Sequence, residues 1–225
     1  MFDRLQFWFG NGWSGILDLL ITAFCVFLSL SFHEFCHGLA AYKMGDDTAR
    51  LMGRLNLNPT SHLDPFGTFC LFFFGFGWAK PVPVNPMRFK NGKYKSGMVI
   101  TSLAGPLGNF VLAFLTLAIY RVVYLFVPVE NMGEHSLFML YNDITITLAI
   151  MNIGLGVFNL LPVPPLDGSK ILNAVLPARI YFKIMQYERY GFIILILLLN
   201  MPIVSNILDY LQFMIYRGFI SVLHF

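Results

Sequence analysis

The chain has 225 residues, of which 57% are hydrophobic and 12% charged, and its formal net charge is +3. Soluble domains carry about 25% charged residues. This composition, with a mean hydropathy of +0.67, therefore excludes an ordinary soluble domain and indicates a membrane protein. No linker rich in Gly, Ser or Pro divides the chain. We expect a single domain over residues 1–225, with its core at 13–170 and C-terminal helices at 180–225.

Five apolar segments are candidates for membrane crossings, each of which needs about 20 mostly apolar residues. They cover residues 13–41, 98–127, 136–161, 192–201 and 203–225. The fourth is short and the fifth carries two charges, so the last two are either two crossings or one crossing and an interfacial helix; two are favoured. The expected fold is an all-α polytopic membrane protein, a bundle of about five transmembrane helices. The N-terminus shows no small-residue cleavage site and is interpreted as a retained helix.

Basic residues are concentrated in two of the segments that join these crossings. Residues 42–97 hold eight Lys or Arg and residues 161–191 hold four, out of fifteen in the chain. Cytoplasmic loops of membrane proteins carry the excess of Lys and Arg. We therefore expect residues 42–97 and 168–190 in the cytoplasm, and residues 128–137 and the N-terminus outside. A basic loop that binds nucleic acid is the rival interpretation, which the simple match to membrane topology disfavours.

The first apolar segment contains three residues that are costly inside a membrane, His33, Glu34 and His37. Side chains four residues apart lie on one face of a helix, so the two imidazoles can reach one metal ion while Glu34 lies beside it. This HExxH spacing is typical of zinc hydrolases, in which the imidazoles bind zinc and the carboxylate acts on the attacking water. The alternative is that the helix ends before His33 and these residues face water.

A zinc hydrolase site usually has three protein ligands and one open position, so a third ligand must come from another part of the chain. The candidates are Asp167, His62, Asp64 and Asp143. Asp167 belongs to residues 159–168, Asn-Leu-Leu-Pro-Val-Pro-Pro-Leu-Asp-Gly, which follow the third apolar segment. The prolines must end the helix, and non-helical backbone at membrane depth is tolerated where it lines a cavity. A plain helix-ending turn at the membrane surface is the alternative.

The HExxH motif and residues 159–168 together resemble the site-2 protease family of intramembrane metalloproteases, in particular its compact prokaryotic members without a PDZ domain. Three further segments match: His62-Leu-Asp-Pro-Phe-Gly67, Lys80-Pro-Val-Pro-Val-Asn-Pro86 and Ala104-Gly-Pro-Leu-Gly-Asn109. The resemblance covers residues 25–170 in outline. Two separated motifs in the right order are more specific than HExxH alone.

The resemblance implies a set of site residues. His33, His37 and Asp167 would bind Zn²⁺, one ion per chain, with Glu34 as the general base. The family often has Asn-Pro-Asp-Gly or a second glycine after the aspartate. Here Leu166 and Ser169 flank Asp167-Gly168 instead, and the ligand and the turn glycine are both kept.

Three further residues are candidates for roles other than metal binding. Asn159 would stabilise the oxyanion that forms on the attacked carbonyl, or hold the substrate backbone; the alternative is that it caps the third helix. His62 and Asn109 are accessory candidates. A lone loop histidine such as His62 is more often structural.

Residues 65–86 are expected not to cross the membrane fully. Aromatic residues alternate with glycines there, which suits an extended or re-entrant chain at the interface. The resemblance implies a short membrane-associated strand between the first and second helices, whose edge would pair with an extended substrate. The alternative is a hydrophobic hairpin that only fills the bundle.

The expected function is that of an intramembrane zinc-dependent endopeptidase, which hydrolyses transmembrane or membrane-adjacent substrates. Its partners would be a transmembrane protein or peptide substrate and membrane lipid, with no nucleic acid. It would lie in the cell membrane as a multi-pass protein, with the active site nearer the cytoplasmic side. A membrane metal-ion transporter or metal-binding protein that uses the same His and Asp cluster is the alternative, and a non-catalytic scaffold is a third. Zinc-dependent cleavage separates them.

Overall fold

The computed structural model describes residues 10, 12–74, 77–92, 94–128 and 137–224. The regular secondary structure of these residues is helical, with single turns of 3-10 helix at 86–88 and 90–92. The α-helices in chain order are α1 (Gly12–Lys43), α2 (Thr48–Leu51), α3 (Pro59–His62), α4 (Pro65–Phe74), α5 (Tyr94–Phe126), α6 (Leu137–Asn159), α7 (Asp167–Val175), α8 (Ala178–Met185), α9 (Glu188–Leu199) and α10 (Pro202–Val222).

Three of these helices, α1, α5 and α6, are long and apolar enough to cross a bilayer. Their bounds lie within about four residues of those expected, because continuous apolar length is a local property of the sequence. Helices α9 and α10 pass the same test only as a pair, bent by 83°. An all-α membrane protein is confirmed, whereas the count of five crossings stays a prediction. Of the expected external segment 128–137, residues 129–136 lie outside the described residues.

Helices α1, α5 and α6 form the centre of the bundle. Cys25 of α1 and Leu148 of α6 are buried in one cluster, and Ala113 of α5 packs with Ile153 of α6 in another. Small residues let the helices approach closely, as is usual when lipid supplies no hydrophobic driving force. Gly156 of α6, for example, lies against the ring of Phe110, where a methyl group would collide.

Residues 65–86, where a strand or re-entrant chain is expected, begin as helix α4. The carboxylate of Asp64 accepts the Gly67 N–H at 2.7 Å and so satisfies a free donor in the first turn of α4. Leu63 and Ala79 form one isolated antiparallel bridge, and no longer strand occurs within the described residues. Residues 75 and 76 lie outside the described part of the chain. The membrane-associated strand therefore stays a prediction.

The stretch from Ala79 to Asn85 is extended and returns to the end of α1. Its backbone is held at both ends. The Lys80 N–H donates to the His62 carbonyl at 2.7 Å, and the Asn85 N–H donates to the buried Asp46 carboxylate at 2.6 Å. Pro81 and Pro83 fix its backbone and remove two donors that would otherwise need partners. This stretch therefore passes beside the HExxH helix.

Helix α6 ends at Asn159, and a turn of seven residues leads to α7, which begins at Asp167. Gly168 lies so close to the carbonyl oxygens of Leu160 and Leu161 that any side chain would collide with them. The glycine thus lets the chain fold back, which points the first turn of α7 into the bundle.

Candidate active site

Three side chains converge between α1, α5 and α7. Nε2 of His33 and Nε2 of His37 lie 3.0 Å apart, and they lie 3.1 and 3.0 Å from Oδ2 of Asp167. All three residues are buried. The imidazoles come from successive turns of α1, as their spacing of four residues predicts, and the carboxylate comes from the start of α7, as the family resemblance implies.

The other ring nitrogen of each histidine has its own partner. Nδ1 of His37 lies 2.7 Å from the Thr101 carbonyl oxygen, and Nδ1 of His33 lies 2.5 Å from Oδ1 of Asn109. A carbonyl oxygen only accepts hydrogen bonds, so both Nδ1 atoms carry the proton. In the neutral form of each imidazole, Nε2 then presents a lone pair to Asp167. Such outer partners are what fix the tautomer and ring orientation of metal-binding histidines.

This donor set suits a zinc ion. Two imidazole lone pairs and a carboxylate oxygen at mutual distances of 3.0–3.1 Å repel one another unless a cation lies between them. Ligands about 2.0–2.1 Å from one tetrahedral zinc lie about 3.3–3.4 Å apart, close to this spacing. Among the described His, Cys, Asp and Glu residues, His33, His37 and Asp167 form the one group able to hold a metal in this way.

Helix α5 comes close to the imidazoles because it carries a glycine there. A Cβ atom on Gly105 would lie 2.5 Å from Cε1 of His37 and 2.6 Å from Cε1 of His33. The next residue, Pro106, has no N–H to give the carbonyl four residues earlier. Regular bonding in α5 is thus interrupted beside the Thr101 carbonyl that accepts the His37 proton.

The Glu34 carboxylate is also buried, and it is held by backbone. Oε2 of Glu34 accepts the N–H of Val82 at 2.8 Å. Val82 lies in the extended stretch Ala79 to Asn85, and its side chain is itself buried against the Gly38 side of α1. One carboxylate oxygen is therefore fixed, and the other has no hydrogen-bond partner among the described residues.

Comparison with known proteins agrees with this geometry. The profile of peptidase family M50 matches residues 21–141 and 127–199. The chain belongs to this family. "Putative zinc metalloprotease YwhC" of Bacillus subtilis is 41% identical over 193 residues, 84% of this chain and 83% of the relative. "Putative zinc metalloprotease Rip2" of Mycolicibacterium smegmatis is 29% identical over 197 residues, 85% of this chain and 70% of the relative.

A zinc metalloprotease of Methanocaldococcus jannaschii is 30% identical over a shorter stretch, 42% of this chain and 24% of its own length. No solved structure matches. The M50 membership and the relatives identify this membrane protein as a zinc metalloprotease, and the site-2 protease resemblance is confirmed.

The other three candidates for the third metal ligand lie elsewhere in this M50 peptidase. Asp64 caps α4 through its bond to the Gly67 N–H, and Asp143 accepts from the neighbouring Asn142 amide at 3.2 Å. His62 is fully buried, and its Nε2 donates to the Asn56 carbonyl oxygen at 2.8 Å. The structure therefore favours the structural interpretation of His62.

Asn159 and Lys170 lie on either side of the turn before α7. The Asn159 amide donates to the Leu155 carbonyl at 3.0 Å, and its remaining N–H and Oδ1 have no partner within the described chain. The Lys170 ammonium lies 3.1 Å from Oδ1 of Asp167, the oxygen that faces away from the imidazoles. Lys170 thus occupies one carboxylate oxygen and leaves the other for the metal.

Sequence reasoning missed several partners of these site residues. The Thr101 carbonyl and the Val82 N–H are backbone groups, which no residue pattern marks. Gly105 lies inside the matched Ala104 to Asn109 segment, but its closeness to the imidazoles is visible only in three dimensions. Asn152 is an amide within an apolar helix, which is costly unless it is paired. That cost is a signal that could have identified it.

Proposed function

We propose that this M50 peptidase is an intramembrane endopeptidase that hydrolyses peptide bonds of transmembrane or membrane-adjacent substrates. The observation that supports this proposal is the location of the catalytic residues within the bundle. His33, Glu34 and His37 are buried in a helix long and apolar enough to cross a bilayer, and Asp167 joins them from the start of α7. A site built for soluble peptides has no need to lie at this depth.

One zinc ion per chain is held by His33, His37 and Asp167 in this proposal. Bound zinc would polarise the scissile carbonyl and make a water molecule acidic enough to attack at neutral pH. Glu34 takes the proton of the attacking water and passes it to the leaving amine. The Val82 N–H holds one oxygen of Glu34, so the other is oriented for this transfer without a search over rotamers.

The site is proposed to open towards the cytoplasm, and the N-terminus to lie outside. The basic residues of the α1–α5 connection, residues 42–97, and of residues 161–191 after α6 support this orientation through the positive-inside rule. Single cysteines at positions 93 and 134, both outside the described residues, test it with an impermeant thiol reagent. Position 134 should label from outside and position 93 should not. Labelling of position 93 from outside would invert the orientation.

A transporter built on the same three ligands would move metal and leave peptides whole. Purified protein in proteoliposomes with a membrane-spanning peptide distinguishes the two functions. We expect cleavage that stops when a chelator removes zinc and returns when zinc is restored, without net movement of zinc into the vesicles. Zinc uptake by the vesicles with an intact peptide would replace the protease proposal with a transporter.

Asn159 is proposed to donate its free N–H to the oxyanion or to the substrate backbone. Replacement by Ala should lower turnover by about 10²–10³, the usual cost of one oxyanion donor, while the protein stays folded and loaded with zinc. Asn200→Ala is a matched control, because Asn200 makes the same bond to a carbonyl four residues earlier at the end of α9, 2.8 Å in length. Near-normal turnover of Asn159→Ala, or joint loss of fold and zinc, would reduce Asn159 to a helix cap.

A further inference from the structure

Behind His33 lies a chain of buried polar side chains that crosses all three central helices. Asn109 of α5, Asn152 of α6 and Ser29 of α1 are each 0% exposed. An unpaired amide or hydroxyl in such a place costs free energy, so each group must find a partner. Every one of them does, and the chain of hydrogen bonds ends at Nδ1 of His33.

The direction of each hydrogen bond can be worked out from the end of the hydrogen-bond chain that lies away from His33. The Cys25 carbonyl only accepts, so the Ser29 hydroxyl donates to it at 2.6 Å. The Ser29 oxygen is then left to accept, and it receives an N–H of Asn152 at 2.8 Å. The second Asn152 N–H goes to the Leu148 carbonyl, also at 2.8 Å. Both protons of this amide are therefore used, and its oxygen must face α5.

Asn109 continues the same pattern towards the site. Its amide nitrogen donates to Oδ1 of Asn152 at 2.6 Å and to the Ser29 carbonyl at 3.4 Å. Its oxygen consequently faces Nδ1 of His33 at 2.5 Å and can only accept there. The proton of the neutral imidazole is thereby kept on Nδ1, and its Nε2 keeps a lone pair. A reversed Asn109 amide would offer an N–H to Nδ1 and place the imidazole proton on Nε2.

We propose that Asn152 and Ser29 are positioning residues, which act through Asn109 to hold His33 in the tautomer that binds zinc. The inference rests on the proposed zinc site at His33. It assigns these two side chains a role towards the metal, although neither of them touches it. Outer partners of this kind typically contribute about 10–100-fold to metal affinity.

A purely structural role is the competing explanation, because polar bonds between helices also hold membrane bundles together. The protein contains a second polar bond between the same two helices, which serves as a matched comparison. Oδ1 of Asn142 on α6 accepts the Tyr120 hydroxyl of α5 at 2.8 Å. It joins the same two helices through the same residue type, and its described bonds go to Tyr120 and Asp143, outside the metal cluster. Asn142→Ala therefore loses a comparable helix contact but keeps the chain that ends at His33.

Histidine nitrogen NMR on the full chain in detergent, titrated with zinc, tests the proposal. The chain has five histidines, and His33→Ala identifies the signals of His33. In the wild type, His33 should carry its proton on Nδ1 even at the lowest zinc concentration. In Asn152→Ala, a population with the proton on Nε2 should appear, and zinc affinity measured by chelator competition should fall about 10–100-fold.

Asn142→Ala should change neither the tautomer nor the affinity. Ser29→Ala is a milder substitution, because alanine fits the helix. It should shift the His33 tautomer and the zinc affinity in the same direction as Asn152→Ala, by a smaller factor. This variant is the deciding test if Asn152→Ala does not fold. A single Nδ1–H tautomer with wild-type zinc affinity in Asn152→Ala overturns the inference, as does an equal affinity loss in Asn142→Ala. Wild-type affinity in His33→Ala would instead refute the zinc site itself.

Discussion

Glu34→Gln should lower peptide hydrolysis by about 10²–10⁴, the usual contribution of a general acid–base group, while zinc stays bound. The physical reason is that an amide cannot take a proton from water at neutral pH, although it has nearly the size of the carboxylate. Its oxygen can still accept the Val82 N–H, which Glu34 accepts at 2.8 Å. The loss would therefore be chemical, without a loss of fold.

Cleavage of a membrane-spanning peptide in proteoliposomes, together with metal analysis of the same samples, measures this effect. In cells, proteomics of membrane-peptide turnover with wild type beside Glu34→Gln would also reveal the substrates. Asp18→Asn is the control, because it removes a carboxylate from the same helix α1, one that lies outside the metal cluster. Cleavage by Glu34→Gln at nearly the wild-type rate would exclude Glu34 as the base.

Asp167→Ala should remove zinc almost completely. The substitution takes away the one charged member of the cluster and leaves two neutral imidazole nitrogens 3.0 Å apart, which are too few ligands for the usual three-residue hydrolase site. We expect affinity to fall by more than the roughly 100-fold that outer partners cost, and turnover to fall with it. Zinc content after dialysis against a chelator is the measurement.

Asp143→Asn is the matched control for this loss. Asp143 is the acid that the sequence places on α6, and its described bond goes to the adjacent Asn142, so zinc content should not change. His37→Ala should lose zinc as Asp167→Ala does, since both belong to the same cluster. Full zinc occupancy in Asp167→Ala would remove Asp167 from the site and direct attention back to His62 or Asp64.

Local features of the sequence were sufficient for the helices and for two of the three residues of the metal cluster. The bounds of α1, α5 and α6 follow from apolar length, which the bilayer sets and which can be counted along the chain. The pairing of His33 with His37 follows from helix geometry, because residues four apart share a face. The break after Asn159 follows from prolines that cannot continue a helix. Each of these rests on residues that are close to one another along the chain.

Contacts between segments that are distant in the sequence could not be predicted without the tertiary structure. Asp167 is 134 residues from His33, so the choice among four candidate ligands depended on how α7 enters the bundle. The start of residues 65–86 is helix α4, because aromatic and glycine residues suit several backbone forms and the Asp64 cap decides between them. The bend between α9 and α10 likewise leaves the number of crossings undecided by composition.

The sequence by itself determined that this is a membrane protein with an HExxH helix, since hydrophobicity and helical spacing act locally. Only the tertiary structure decided how the site is held. Val82 reaches Glu34 from 48 residues away, and Asn152 reaches Ser29 from 123. Hydrogen bonds depend on distance and direction in space, and a protein interior that excludes water forces each buried polar group to find such a partner wherever the fold places one.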